Sequence, residues 1–427
     1  MTQKAELKRE LGLFEVTLSG VGIILGAGIY ALIGVAAGKA GNALWLSFAM
    51  AALIAAFTGL SYAELSSMFP RASAEYEYTS RAFNQKLAFV IGWLVIFSGI
   101  IGAATVALGF GGYFYALTEV PVKLSAVLLI LALSLVLFRG VKLSAWFAII
   151  FTLIEAGGLI MVIFIGLPHL GSVDYFEMPH GFSGVFEAAA LIFFAYMGFE
   201  EIVKLSEETK NPERTVPKSL ILALAGTIVL YILVALSSVS VVGWERLSTS
   251  NAPFAEVAFE SLGNDAFVVI SVIALFATAN TVLLMLLAAS RMTYGMAESF
   301  GLPSIFSKVH PATRTPWAAI LVIMAMSIIF TLLSDIAFVA SATNFVLFLT
   351  FAVINAALIT LRYKEPQITR PFKVPINLGR TPILPVFGII TSIFLALQLD
   401  RGAMAVGLVV VFAGAVISLV CCKGNGP

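Results

Sequence analysis

The chain has 427 residues, of which 60% are hydrophobic and only 11% charged, with a mean hydropathy of +1.01. Soluble domains are about 45–50% apolar and about 25% charged, so this composition excludes a soluble enzyme, a disordered chain and a fibrous protein. Twenty-five Lys and Arg against 24 Asp and Glu leave no basic domain for nucleic acid, and two adjacent cysteines, Cys421 and Cys422, neither staple a fold nor complete a zinc site.

A membrane span needs about 20 mostly apolar residues. In chain order, twelve segments qualify: 14–37, 43–69, 87–117, 123–138, 144–167, 184–206, 217–243, 266–298, 317–334, 338–361, 382–399 and 402–422. The first is longer than a signal-peptide core and is read as retained. Placing the N-terminus in the cytoplasm leaves only Lys39, Lys123, Arg246 and Arg401 outside among the 25 basic residues, the split that the positive-inside rule requires. The five tryptophans, Trp45, Trp93, Trp146, Trp244 and Trp317, fall near span ends, where amphipathic rings anchor.

The first span carries Gly22, Gly26 and Gly28 within seven residues. Such a run either opens the helix beside a polar cavity or lets another helix pack closely, because lipid cannot satisfy an exposed backbone turn. The sixth span favours opening. Phe14-Glu15 precedes Gly26, and Phe186-Glu187 precedes Gly198, with Gly following Glu by eleven residues in both. Matched interruptions in two halves point to a transporter binding site. Five spans separate them, so the second copy is inverted.

Glu155 lies near the middle of span five, where a carboxylate costs about 2.5–3.5 kcal/mol on insertion scales. Protonation relieves that cost, so Glu155 is a candidate proton carrier; the plainer reading is a structural hydrogen bond to a neighbouring helix. Glu200–Lys204 and Lys204–Glu208 are expected as i,i+4 pairs after the break in span six, which leaves Glu201 without a partner. Glu64, near the inner end of span two, is expected to snorkel towards the cytoplasm. His169, His180 and His310 fall in loops without metal-like spacing. Residues 74–80 suit a short interfacial helix, and Arg370 to Pro375 an extended, basic, proline-braced connection.

These motifs together resemble the amino acid–polyamine–organocation (APC) transporter superfamily, in particular its prokaryotic amino acid permeases and the related cationic amino acid transporters. The likeness covers nearly the whole chain. It rests on Gly22 to Tyr30, on Ser61-Tyr62-Ala63-Glu64-Leu65 running to Phe69-Pro70, on Phe193 to Glu200 leading to Glu207-Glu208 and Asn211-Pro212, and on Arg370 to Pro375.

The resemblance implies an all-α membrane protein with the leucine-transporter-like fold and broken helices one and six. The first five-span repeat covers 14–168 and the inverted second covers 182–362. A cytoplasmic loop (363–381) and two further spans (382–422) follow, with cytoplasmic tails at 1–13 and 423–427. It also implies a substrate site of Ile24, Gly26, Ala27, Gly28, Phe194, Ala195, Met197, Gly198 and Phe199. The amino acid's carboxylate would meet exposed N–H groups of Ala27 and Gly28. Its ammonium would meet carbonyls of Ile24, Phe194, Ala195 and Met197, with Phe199 as a hydrophobic gate.

Many proton-coupled relatives carry a lysine in span five where Glu155 stands, so the coupling ion is either a proton or Na⁺. Cationic transporters carry an acid in span three where Ser98 stands, which favours a neutral amino acid, with Glu201 as the counterargument. The expectation is a secondary active transporter in the cell membrane, sufficient as a monomer, without cofactor, metal or enzymatic activity. Proton-coupled symport is favoured; exchange of amino acids or amines and Na⁺ symport stay open. A channel is the rival from another class.

Overall fold

The computed structural model describes residues 9–71, 74–140, 145–299, 302–333 and 335–421, with the side chains of 145–149, 299 and 420–421 left undescribed. Residues 1–8 of the expected N-terminal tail, the 423–427 tail, Cys422 and the side chains of Cys421 and Trp146 therefore lie outside the described residues.

Apolar sequence forces the chain into helices, since only internal hydrogen bonds satisfy its backbone in lipid. Helix α1 (Leu13–Leu25) stops at Gly26-Ala27 and α2 (Gly28–Ala40) continues the segment. A 3₁₀ turn at Gly41–Ala43 leads into α3 (Leu44–Met68), and the short α4 (Ala74–Ala82) follows where an interfacial helix was expected. Next come α5 (Gln85–Thr118), α6 (Val122–Arg139) and α7 (Ala145–Gly166). The sixth segment is in three pieces: α8 (Gly181–Ile192), a 3₁₀ turn Phe193–Tyr196, and a second 3₁₀ stretch Phe199–Glu208. Then α9 (Pro212–Thr249) opens with proline at its first turn and breaks at Gly243, where the seventh predicted span ends. The chain continues through α10 (Pro253–Leu262), α11 (Asn264–Ser299), α12 (Trp317–Leu333), α13 (Ile336–Lys364), α14 (Ile383–Ala396) and α15 (Arg401–Cys421).

On length and composition, nine helical stretches of the described residues are able to cross a membrane, with Gly28–Met68 counted as one, and three shorter apolar helices accompany them: Leu13–Leu25, Trp317–Leu333 and Ile383–Ala396. The first of these is short because the helix is broken.

Helix α10 was not foreseen. Its ten residues are too few to span, yet it buries Phe254 edge-on against Tyr30, with ring centroids 5.1 Å apart, and Arg246 ties Glu256 and Glu260 to the end of α9. A two-residue hairpin, Asn377–Leu378 with Thr381–Pro382, also escaped the sequence reading. Trp93 differs from a plain interfacial anchor: its indole N–H donates to the Val410 carbonyl at 3.0 Å, and its ring fills the space a side chain at Gly414 would need.

Glu64 requires a correction. It is fully buried and does not snorkel. Arg362 donates to it through Nε at 2.8 Å and Nη2 at 2.5 Å, the Val374 N–H donates at 2.7 Å, and Arg370 Nε stands 3.3 Å away. Arg362 on α13 and the Arg370–Pro375 loop, which folds back over α3, together supply the donors that a carboxylate otherwise takes from water.

Candidate functional site: two interrupted helices at the head of a cavity

The two interruptions pack against each other. A Cβ on Gly28 would lie 2.9 Å from the Ala195 Cα and 3.2 Å from the Phe194 carbonyl oxygen. One on Gly198 would lie 2.9 Å from the Ile23 carbonyl oxygen, and Gly198 has φ +116°, a conformation that L side chains rarely adopt. Glycine at both positions is thus what lets the unwound strands touch. This joins the two readings that the sequence left open: the helices do open, and the glycines also serve close packing.

Opening a helix frees backbone groups that the membrane interior cannot satisfy. Four side chains take them up, three from distant helices and one, Glu200, from two residues along the same segment. Thr281 Oγ1 on α11 accepts the Ala27 N–H at 3.0 Å. Glu200 accepts the Gly198 N–H at 2.9 Å. Asn344 on α13 donates to the Ala190 and Leu191 carbonyls at 2.7 and 2.8 Å. The Tyr231 hydroxyl on α9 lies 2.8 Å from the Ile24 carbonyl and 3.0 Å from that of Ala195, and its single proton serves one of them at a time. Tyr231 is fully buried and packs on Tyr196 and Phe48.

A cavity of about 440 Å³ starts at this crossing. Gly22, Ile23, Met197, Gly198, Asn280 and Thr281 line its head, Val95, Ser98, Met285 and Phe351 its walls, and Glu75, Glu201, Lys204 and Arg291 its other end. Of the expected substrate residues, only Met197 and Gly198 line it. Ile24, Ala27 and Ala195 sit behind them with the named groups already bonded to Tyr231 or Thr281, and the Phe194 carbonyl accepts the Met197 N–H at 3.2 Å. Gly26 faces Thr281. Phe199 is wholly buried against Tyr62 and Phe351, which themselves reach the cavity.

Glu155 is 2% exposed and stands one residue behind the cavity wall. Its Oε1 accepts from the Asn280 amide at 3.3 Å, and its backbone carbonyl accepts the Tyr30 hydroxyl at 2.8 Å. Asn280 and Thr281 are consecutive, so one turn of α11 touches both Glu155 and the Ala27 N–H of the break.

A family comparison decides what this architecture belongs to: residues 11–420 match the amino acid permease family. The chain belongs to that family. It is a multi-pass membrane transporter of the APC superfamily and not an enzyme. It is 33% identical to the branched-chain amino acid permease of Bacillus subtilis (strain 168), over 96% of this chain and 92% of that one. The methylthioribose transporter of the same organism is 32% identical, over 90% and 87% of the two chains. Cationic amino acid transporter 4 of Homo sapiens is 31% identical, over 85% of this chain and 61% of that one.

Within the permease, the charged segment after Gly198 departs from the expected pairing. Phe199–Glu208 is 3₁₀, with three residues per turn, so Lys204 meets Glu201 at i,i+3 rather than Glu200 or Glu208 at i,i+4. Tyr231, Asn280, Thr281 and Asn344 were missed as site residues. Each is one uncharged polar residue among several in a long apolar helix, and nothing in the local sequence tells which neighbour it serves. The two halves of the Phe-Glu-Gly match also behave differently: Glu187 pairs with Lys39 at 2.9 Å, whereas Glu15 accepts the Gly12 N–H at 3.0 Å.

Proposed function

We propose that this permease moves neutral amino acids across the cell membrane by alternating access, driven by proton symport. The reading takes twelve spans, with five-span repeats over 14–168 and 182–362 in opposite orientation and 382–422 added, and both termini in the cytoplasm. The observation that carries it is the crossing of the two helix interruptions at the head of a cavity. A pair of broken helices supplies N–H groups at one half-helix start and carbonyls at another half-helix end. Those two features match the carboxylate and the ammonium that all α-amino acids share.

Tyr231 supports the placement of the ammonium. Its hydroxyl occupies a point on which the Ile24 and Ala195 carbonyls converge, so a donor is accommodated there, and a substrate ammonium would compete for the same acceptors. Thr281 plays the matching part for the carboxylate, since it accepts the Ala27 N–H until an anion replaces it. Ser98 and the apolar walls favour an uncharged side chain, and the name of the 33% identical relative, a branched-chain amino acid permease, points the same way.

Coupling falls to Glu155. Asn280 bonds it, and the adjacent Thr281 bonds the break, so loading a proton on Glu155 and loading an anion at Ala27 both act on one turn of α11. A proton bound more tightly in one conformation than in the other biases the equilibrium between them. With the basic residues placed inside, the end of the cavity that carries Lys204 and Arg291 lies towards the cytoplasm, which supports an inward-facing reading.

Uptake into proteoliposomes tests the reading. Labelled leucine, isoleucine, valine, alanine, methionine, lysine and methylthioribose are supplied with a pH gradient, with a Na⁺ gradient and with neither. Saturable, ΔpH-driven accumulation of a neutral amino acid is expected. Accumulation only with Na⁺ would reassign the ion, strict one-for-one counterflow would make the protein an exchanger, and non-saturating flux would make it a channel.

A further inference from the structure

The acidic end of the cavity is not used by this transport scheme. Glu75, Glu200 and Glu201 line it beside the Lys204 ammonium and the Arg291 guanidinium, three acids against two cations. Two of the acids are engaged: Glu200 accepts the Gly198 N–H at 2.9 Å, and Glu201 is ion-paired with Lys204. Glu75 differs. It is 2% exposed, its Oε1 lies 3.4 Å from the Tyr62 hydroxyl that donates to it, and among the described residues no group hydrogen-bonds its Oε2. Among the described residues the buried Tyr78 hydroxyl on the same helix also has no hydrogen-bond partner, its ring 6.3 Å from that of Tyr62. Burial pushes the Glu75 carboxyl above its ordinary range, while the Lys204 charge pulls it back. A buried carboxylate oxygen without a donor is costly, and a cationic donor meets that demand best.

The surroundings narrow the cation. Val95, Leu205, Leu287, Ala288 and Met292 line the cavity with hydrocarbon, which suits a carbon chain attached to the charge and not a hydrated inorganic ion. An alkylammonium offers three N–H donors on a compact charge. Glu201 lies three residues beyond Gly198 on a 3₁₀ stretch, which at about 2.0 Å per residue is roughly 6 Å from the interruption. That is about the length of a small amino acid.

We propose that the Glu75–Glu201 end of the cavity is a second binding station for an organic ammonium group, taking primary amines and the amino group of a substrate passing from the interrupted helices to the cytoplasm. Glu75 Oε2 and Glu201 accept from the ammonium, and Tyr62 positions Glu75. Only the second source of the ammonium rests on the amino acid reading.

Calorimetric titration of the full-length protein in detergent, at constant ionic strength, separates the sources. The probes are n-butylamine, sodium butyrate and sodium chloride. Butylamine is expected to bind and butyrate not to. Glu75→Gln and Glu201→Gln should each weaken butylamine binding about tenfold or more. Glu77→Gln, whose carboxylate pairs with Arg81 outside the cavity, should leave it unchanged. If Glu75→Gln is not monodisperse, the half-exposed Glu201 carries the test. Absence of butylamine binding, or its survival in both cavity variants, overturns the station. Sodium binding that depends on Glu75 without amine binding overturns it too, in favour of an inorganic cation. Amine binding in a protein that takes up no amino acid would refute the transport reading and leave the station standing.

Discussion

Replacing Glu64 by Gln is the perturbation whose size the structure fixes best. The carboxylate is fully buried and receives two hydrogen bonds from Arg362, itself 4% exposed, and one from the Val374 N–H. Removing one member of a buried ion pair strands the other charge and costs about 3–5 kcal/mol. A snorkelling, solvated Glu64 would cost about 0–1 kcal/mol. The Val374 amide reports the difference directly, because its acceptor is the group being altered. At about 1.4 kcal/mol per tenfold, loss of the clasp should speed hydrogen exchange in a peptide containing Val374 by about a hundredfold to a few thousandfold, if the loop opens locally. The double variant Glu64→Gln/Arg362→Gln should be less damaged than the two single effects added together. Exchange rates within threefold of wild type, or additive single effects, would refute the buried clasp.

Three other outcomes follow from the site. Gly28→Ala should lower the apparent melting temperature, because the new Cβ meets the Ala195 backbone at 2.9 Å and overpacking costs about 1–3 kcal/mol; Gly26→Ala, facing the Thr281 hydroxyl at 3.2 Å, should be milder, and equal effects in a thermal-shift assay would contradict the crossing geometry. Tyr231→Phe removes the donor to two buried carbonyls and should cost about 1–3 kcal/mol in the empty protein; added substrate should restore more stability than in wild type, and an unchanged melting curve would dismiss the hydroxyl as a stand-in. Glu155→Gln should retain substrate exchange in proteoliposomes but lose ΔpH-driven accumulation, whereas accumulation at the wild-type level would make Glu155 merely structural.

The helical segments were legible because a bilayer leaves no alternative: an apolar stretch near 20 residues must satisfy its own backbone. The breaks were legible for a related reason, since glycine at Gly26, Gly28 and Gly198 is conspicuous inside apolar helices. Residues 74–80 announced a short helix, and Ala74–Ala82 forms one. Glu155 stood out as an acid in mid-span, and the structure buries it.

What local sequence determined was therefore the helical segments, the interruptions and the intramembrane acid. Partners were decided only by the fold. Glu64 reads as a surface acid until Arg362 of α13 and the Val374 loop, some 300 residues later in the chain, cover it. Lys204 changes partner because the chain after Gly198 winds at three residues per turn. Tyr231, Thr281 and Asn344 satisfy the opened backbone from distant helices, Asn280 bonds Glu155, and Glu75 reaches the cavity from a short helix beside it. Apolar length and helix breaking are properties of adjacent residues, whereas hydrogen bonds and ion pairs between helices depend on packing across hundreds of residues of chain.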